Sequence, residues 1–412
     1  RIIAIGNQDT VIPVGAKNIQ AKGKYIIPGL MDANVHLFVA PTVDNLIRYE
    51  DNYESLITEA AQIALKNGIT TVFDSWGPRQ PLVNVRNNIN EGNIPGSRIF
   101  LAGNIVGFGG PFSKDFTPQP TENISQYYMN HINTMWDQGV GGELLWMTPE
   151  QVREKIRTYI EKDIDFLKYG VTGHGVGEKH FLLFSPKVQK ILVEEAHGAG
   201  ITIQTHTKTV ESLRMAIELG VDLMQHCEST GPTPIPESTV RLMIERKIPC
   251  ASLSETEKGL TRMLRDFKGT EFVNYTRVRD ANIRKMIKAG VTFLLSTDAG
   301  VFSEDLIERF NINMDEDVIQ ELGEGHFHWL KAMDEKGMKP MDALLAATRN
   351  IARAYKLDKD LGTLEKGKIA DLIILDKNPL KDPKNYRSIR LVMKAGREVD
   401  RESLPNNRVL TK

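Results

Sequence analysis

Apolar and polar positions along the chain follow two rhythms that take turns. Between Leu30 and Ser296, short β-branched or apolar runs alternate with longer stretches whose apolar residues recur every three to four positions. The first rhythm predicts strands and the second amphipathic helices. Tyr53–Asn67 carries Leu56, Ala60, Ile63 and Ala64 at helical spacing and stops at Gly68, and Ile69–Asp74 then reads as a strand. Helix Pro81–Glu91, closed by Gly92, leads to strand Arg98–Ala102. Helix Thr148–Asp163 opens on Thr148-Pro149-Glu150, a capping residue, a first-turn proline and an early acid. Further strands are expected at Asp165–Tyr169, Gly200–Thr205, Val221–Gln225, Ile248–Ser252 and Val291–Ser296. The helices between them fall at Pro186–Ala199, Val210–Leu219, Pro236–Arg246 and Tyr275–Ala289. Counted from Leu30 these make eight strands in βα units, which predicts an α/β chain folded as a (β/α)8 TIM-like barrel. Two closing helices are expected near Glu316–Lys336 and Met341–Tyr355.

The two ends of the chain keep a different style. Ile2–Ile5, Thr10–Val14 and Ala21–Lys24 read as short strands, as do Gly362–Leu364, Ala370–Leu375 and Ile389–Met393. Neither end is long enough to bury a core alone, so residues 1–25 and 356–412 are expected to complete one small β-sandwich beside a barrel domain spanning 26–355. Residues 103–148 interrupt the rhythm with glycine, proline and seven large aromatics, among them Phe108, Trp136 and Trp146. An insert after a barrel strand is either a substrate-facing loop, because barrel sites lie at strand C-termini, or a surface elaboration or dimer contact.

Composition narrows the class. A chain of 412 residues with 41% hydrophobic and 25% charged residues is globular, and 52 Lys and Arg against 53 Asp and Glu argue against nucleic acid or an anionic membrane as partner. No apolar run approaches the roughly 18–20 residues that span a bilayer. Cys227 and Cys250 give no disulfide framework, and a reducing cytoplasm is the default compartment.

Candidate chemistry gathers where strands give way to loops. In Pro28-Gly29-Leu30-Met31-Asp32-Ala33-Asn34-Val35-His36, residues two apart on a strand point the same way, so Asn34 and His36 can reach one pocket. Lys168, His206, His226 and Asp298 sit at the ends of four later strands, and a barrel brings all these ends to one mouth. Each alone reads as a core, loop or turn residue; together they form a metal-binding set by donor type.

These residues resemble the amidohydrolase superfamily. Its first-strand motif is Pro-Gly-x-x-Asp-x-His-x-His, and the tail Gly362-Thr363-Leu364-Glu365-Lys366-Gly367-Lys368-Ile369-Ala370-Asp371-Leu372 is also typical. The resemblance implies a barrel with a terminal β-sandwich and one or two divalent metals (zinc, cobalt, manganese or iron). His206, His226 and a carboxylated Lys168 would hold one; Asn34, His36, Lys168 and Asp298 would hold the other, and Asp298 with Lys168 would be catalytic. One departure is informative: Asn34 replaces the first histidine, exchanging an imidazole nitrogen for a weaker amide oxygen donor. That pattern is similar to an Asn-x-His subgroup containing phenylurea and thiocarbamate (molinate) hydrolases. The implied reaction is hydrolysis of a carbonyl C–N or C–S bond in a small apolar amide, urea, carbamate or thiocarbamate, a small-molecule substrate. Phe108, Trp136, Trp146 and His174 are the candidate substrate contacts, and family habit implies a homo-oligomer. A prolidase-like dipeptidase and a metal-free scaffold are the competing readings. His326 and His328, near a closing helix, read as structural or interfacial.

Overall fold

The computed structural model describes all residues except 8–9, 11, 39–42, 114, 117–121, 174–180, 303–306, 309–312 and 412. Thirteen strands occur among the described residues. They are β1 (Tyr25–Pro28), β2 (Leu30–Val35), β3 (Ile69–Asp74), β4 (Arg98–Leu101), β5 (Ile105–Val106), β6 (Phe166–Gly170), β7 (Thr202–His206), β8 (Leu223–Gln225), β9 (Cys250–Ser252), β10 (Phe293–Leu295), β11 (Leu372–Leu375), β12 (Ile389–Lys394) and β13 (Arg397–Glu398).

β2, β3 and β4 form one parallel sheet, and β5 to β10 form a second in sequential order. Every residue of β2, β3, β6 and β7 is buried, as expected of parallel strands covered on both faces by crossover helices. The sequence expectation of eight barrel strands meets a more divided arrangement, because one continuous ladder does not close among the described residues. Single contacts join the two sheets: Val35 bridges Ala299 in parallel, and the Asp165 amide donates to the Leu101 carbonyl at 2.9 Å.

The predicted helices recur at Tyr53–Lys66, Arg79–Glu91, Pro149–Ile160, Pro186–Gly198, Val210–Leu219, Glu237–Glu245 and Phe272–Ala289. Their ends follow local chemistry. Thr148 and Gln151 form a reciprocal capping box, and Gly92, at φ 81°, ends its helix in the left-handed region that a side chain would strain. The closing segment differs from expectation. One helix starts only at Gly325, and the next is broken into Pro340–Ala346 and Arg349–Ala354 around Thr348. The irregular insert contains a helix of its own, Gln126–Asp137, capped by Ser125.

Where a terminal sandwich is expected from the sequence, the described residues form one antiparallel sheet in the order β1-β11-β12-β13. The N-terminal segment contributes β1, which pairs with β11, and Ile2, whose amide donates to the Lys368 carbonyl at 2.9 Å and whose carbonyl accepts from the Gly367 amide at 2.8 Å. The described residues before it form no strand, and Ile3, Ile5, Ile12 and Val14 are exposed because no apolar face is offered to them. The sheet is anchored by Asp371 of the tail motif. Its carboxylate accepts from Arg98 Nη1 at 2.6 Å and from the Ala395 amide at 2.6 Å, and its carbonyl accepts from the Gly29 amide at 2.9 Å. On the other face Val392 packs with Leu65 and Leu404.

The cysteines also depart from expectation. The sulfurs of Cys227 and Cys250 are bonded, with Cα atoms 5.9 Å apart. The reason is topological: β8 and β9 are adjacent parallel strands, so residues far apart in sequence become neighbours. No described helix is long and apolar enough to cross a membrane.

Candidate active site

The polar residues at the strand ends meet around one carboxylate. Asp298 Oδ1 accepts from Asn34 Nδ2 at 2.7 Å, lies 3.0 Å from His36 Nε2 and faces His226 Nε2 at 3.7 Å. The sequence places them by simple means. Asn34 is on the last turn of the pleat of β2, His36 follows it, and the backbone ties the two chain regions together. The Asp298 amide donates to the Asn34 carbonyl at 2.8 Å and the His36 amide to the Ala299 carbonyl at 2.7 Å. Asp32, two residues before Asn34, clamps the same junction. Its carboxylate accepts from Thr297 Oγ1 at 2.6 Å and from the Asn34 amide at 3.1 Å. His226 and Asp298 both hold positive φ, 50° and 55°, a conformation that costs a non-glycine residue energy and concentrates at functional sites.

Lys168 rises from β6 into the same space, and Nζ donates to Ser75 Oγ at 2.8 Å. Ser75 in turn donates to Asn34 Oδ1. A chain of contacts thus runs from Lys168 through Ser75 and Asn34 to Asp298. His206, at the end of β7, lies beside His226 with ring centroids 5.7 Å apart. Below them Tyr355 and Gln225 close the interior. Tyr355 Oη donates to the Ala33 carbonyl at 2.9 Å, and Gln225 Nε2 donates to Gln204 Oε1 at 2.6 Å.

Burial sets the protonation states. It pulls the His226 imidazole down to about 3 despite the opposing Asp298 charge, so the ring is neutral at physiological pH. It likewise pulls Lys168 down to about 8 against the pull of Asp298 and Asp74. Burial pushes the Asp298 carboxyl up, but neighbouring His36 and the Lys168 charge outweigh it and hold that group well below the usual carboxylate range.

The donor chemistry fits a divalent cation. His36 Nδ1 lies 3.2 Å from the Trp76 carbonyl and Nε2 3.0 Å from Asp298 Oδ1; in the tautomer that donates from Nδ1 to that carbonyl, the Nε2 lone pair faces the carboxylate. A lone pair facing a carboxylate oxygen at 3.0 Å calls for a positive charge between them, either a proton or a metal. The buried Nδ1 of His226 makes no hydrogen bond. Asn34 presents its amide nitrogen to Asp298, so a flip of the amide is needed for its oxygen to join the set. Elsewhere, Cys227, Glu228 and Cys250 offer donor atoms within 4.8 Å of one another, but the two sulfurs are bonded.

The aromatic expectations divide. Phe108 is buried and meets the His206 ring edge-on at 6.1 Å, and Gly170 leaves room for the Phe108 ring where a Cβ would collide. Trp136 is fully buried, its ring packed among Phe38, Tyr53 and Trp76. Trp146 is 91% exposed at the end of a 3-10 turn, away from the packed aromatics. His174 lies outside the described residues. His326 is buried, with Nε2 3.1 Å from the Asn67 carbonyl. Sequence reasoning missed Asp74, Ser75 and Trp76, which follow β3. Trp76 lies 6.1 Å from His36 and stacks on Phe116 at 4.1 Å. Their signal was present in Phe73-Asp74-Ser75-Trp76, polar residues at a strand end like the others.

The fold agrees with that of known proteins. The amidohydrolase family matches residues 25–399, and the chain belongs to that family. A solved structure of molinate hydrolase superposes with a TM-score of 0.94 at 38% identity, covering 100% of this chain and 91% of that one. A structure of phenylurea hydrolase B gives 0.92 at 35% identity, covering 98% and 91%. Ochratoxinase of Aspergillus niger is 24% identical over 385 residues, 89% of this chain and 73% of that protein. The chain is an amidohydrolase-family hydrolase, similar to molinate hydrolase and phenylurea hydrolase B.

Proposed function

We propose that this chain is a metal-dependent hydrolase of the carbonyl C–N or C–S bond in small apolar ureas, carbamates, amides or thiocarbamates, of the phenylurea or molinate kind, built on a (β/α)8 barrel. The observation that carries it is the convergence of Asn34, His36 and His226 on one partly buried oxygen of Asp298, with Lys168 in the same chain of contacts. Similarity to molinate and phenylurea hydrolases at 38% and 35% identity supports the substrate class.

Asn34, His36, Lys168, His206, His226 and Asp298 are the residues that would hold the metal. A divalent ion there supplies Lewis-acid polarisation of the carbonyl and lowers the pKa of water toward ~7. The chain's own groups do the rest. Lys168, with its pKa drawn down to about 8, has a neutral fraction whose lone pair can add to carbon dioxide. The product is a carbamate and a released proton, so a cation that would repel metal becomes an anionic ligand. Asp298, held ionised, accepts the proton of the attacking water and delivers it to the leaving nitrogen or sulfur, a role worth roughly 10²–10⁴-fold. Phe108, Trp76 and Phe116 give the uncharged aryl or alkyl group an apolar wall beside His206 and His36.

The test is metal content per chain on protein purified without chelators, with turnover of a phenylurea, molinate and an Xaa-Pro dipeptide. One or two metals with urea or thiocarbamate turnover supports the proposal. Turnover of the dipeptide alone replaces it with a peptidase, and absence of both metal and turnover replaces it with a scaffold.

A further inference from the structure

The other ends of the same strands open onto a second cavity, of about 900 Å³. Its walls come from the segments leading into β8, β9 and β10 and from the helices Pro340–Ala346 and Arg349–Ala354. Since these strands are parallel, this cavity sits at their N-terminal ends, whereas His206, His226 and Asp298 stand at the C-terminal ends. Its size falls within the range of small-molecule sites.

Charge is what sets it apart. Lys247, Lys288, Lys339, Arg349, Arg353 and Lys356 line it, against two carboxylates, in a chain whose net charge is −1. Asp222, one of the two, is already engaged: it accepts from the Ile203 amide at 2.8 Å and lies 3.2 Å from His197 Nε2. Five of the six are exposed at the cavity's rim and Arg349 is half-buried, and no ion pair joins any of them to a described carboxylate. Arg349 and Arg353 are four residues apart on one helix and therefore share a face. Arg349 Nε is buried and has no hydrogen-bond partner, a costly state for a guanidinium donor unless something completes it. Beneath the cations the floor is apolar, with Ile287, Val291 and Met338.

We propose that this cavity is a second binding site, separate from the reaction centre, for a small organic oxyanion carrying two or more negative charges. Planar guanidinium pairs with phosphate and carboxylate oxygens alike, so the chemistry it recognises is the multivalent oxyanion with an organic body over the apolar floor. A site of this kind, on the face opposite the reaction centre, ties stability or activity to an anionic metabolite by mass action.

Isothermal titration of ATP and of citrate into metal-loaded protein tests it. Binding of ATP alone identifies a phosphate site, binding of citrate alone a polycarboxylate site, and binding of both a site that reads charge. In each case the Lys247→Gln/Lys288→Gln protein, altered only at exposed side chains, binds about tenfold more weakly or worse, and so does Arg349→Gln/Arg353→Gln. Both double variants keep the unliganded turnover of the parent. Both probes also chelate metal, and heat from chelation at the reaction centre would persist unchanged in the variants. Equal affinity in the parent and both variants, or no binding at millimolar probe, overturns the proposal. Because the readout is binding, it stands or falls independently of which substrate is hydrolysed.

Discussion

The mouth of the parallel strands holds a buried lysine and the terminal sheet a half-buried one, and desolvation shifts the two the same way. Desolvation draws Lys168 and Lys394 down to about 8. Their neighbours differ. Lys168 faces Asp298, Asp74 and, through Ser75, Asn34, a set of acids and neutral donors that converge on open chemistry. Lys394 faces the Arg98–Asp371 pair, in which the carboxylate is already held by a guanidinium at 2.6 Å and by a backbone amide. A shifted pKa is therefore not a site. A shift becomes one where the surrounding groups are left needing a charge between them, as His36 Nε2 and Asp298 Oδ1 are.

The contrast breaks most visibly at the mouth. Lys168→Met should abolish turnover, by roughly 10³-fold or more, and lower the metal bound per chain while the fold persists. Unchanged metal content by elemental analysis would take Lys168 out of the ligand set. Asp298→Asn removes both the shared oxygen charge and the proton acceptor. A drop in kcat of roughly 10²–10⁴-fold is expected, with the alkaline and acid limbs of the pH profile altered rather than merely scaled. Asn34→His restores an imidazole donor, so metal retention against a chelator should improve by roughly tenfold. Loss of the Ser75 and Asp298 contacts of Asn34 should lower kcat in the same variant.

The smallest effect belongs to the terminal sheet. Lys394 titrates at about 8 when folded and near 10.5 when not, so between those values the unfolded chain binds more protons. Wild-type stability should thus rise as pH increases from about 8 to about 10.5, and that increment should vanish in Lys394→Met. At pH 7 the variant, freed of a half-buried charge, should melt higher by roughly 2–4 °C with turnover unchanged. An identical pH dependence in the two proteins would show that Lys394 finds water as easily folded as unfolded.

Much of this was legible along the chain. Periodicity located the helices and parallel strands within a few residues because both faces of such a sheet are buried and its helices show one apolar stripe. Asn34, His36, Lys168, His206, His226 and Asp298 could be picked out because polar residues at the ends of apolar strands stand out against their surroundings. The aromatics could not be sorted in this way. Phe108, Trp136 and Trp146 lie in one irregular insert, yet one borders His206, one is core and one is exposed. An apolar ring carries no local mark of which surface it will meet.

What the sequence determined by itself was the alternation of elements, the family and the identity of the polar groups at the strand ends, since these depend on residue type and short-range spacing. Tertiary structure alone decided that Asn34, His36 and His226 converge on one oxygen of Asp298 and that Asp74, Ser75 and Trp76 lie beside them. It also decided that the chain ends make one sheet and that Cys227 meets Cys250. Each of these is a contact between residues distant in sequence, and such contacts are set by strand order and packing, which no local pattern encodes.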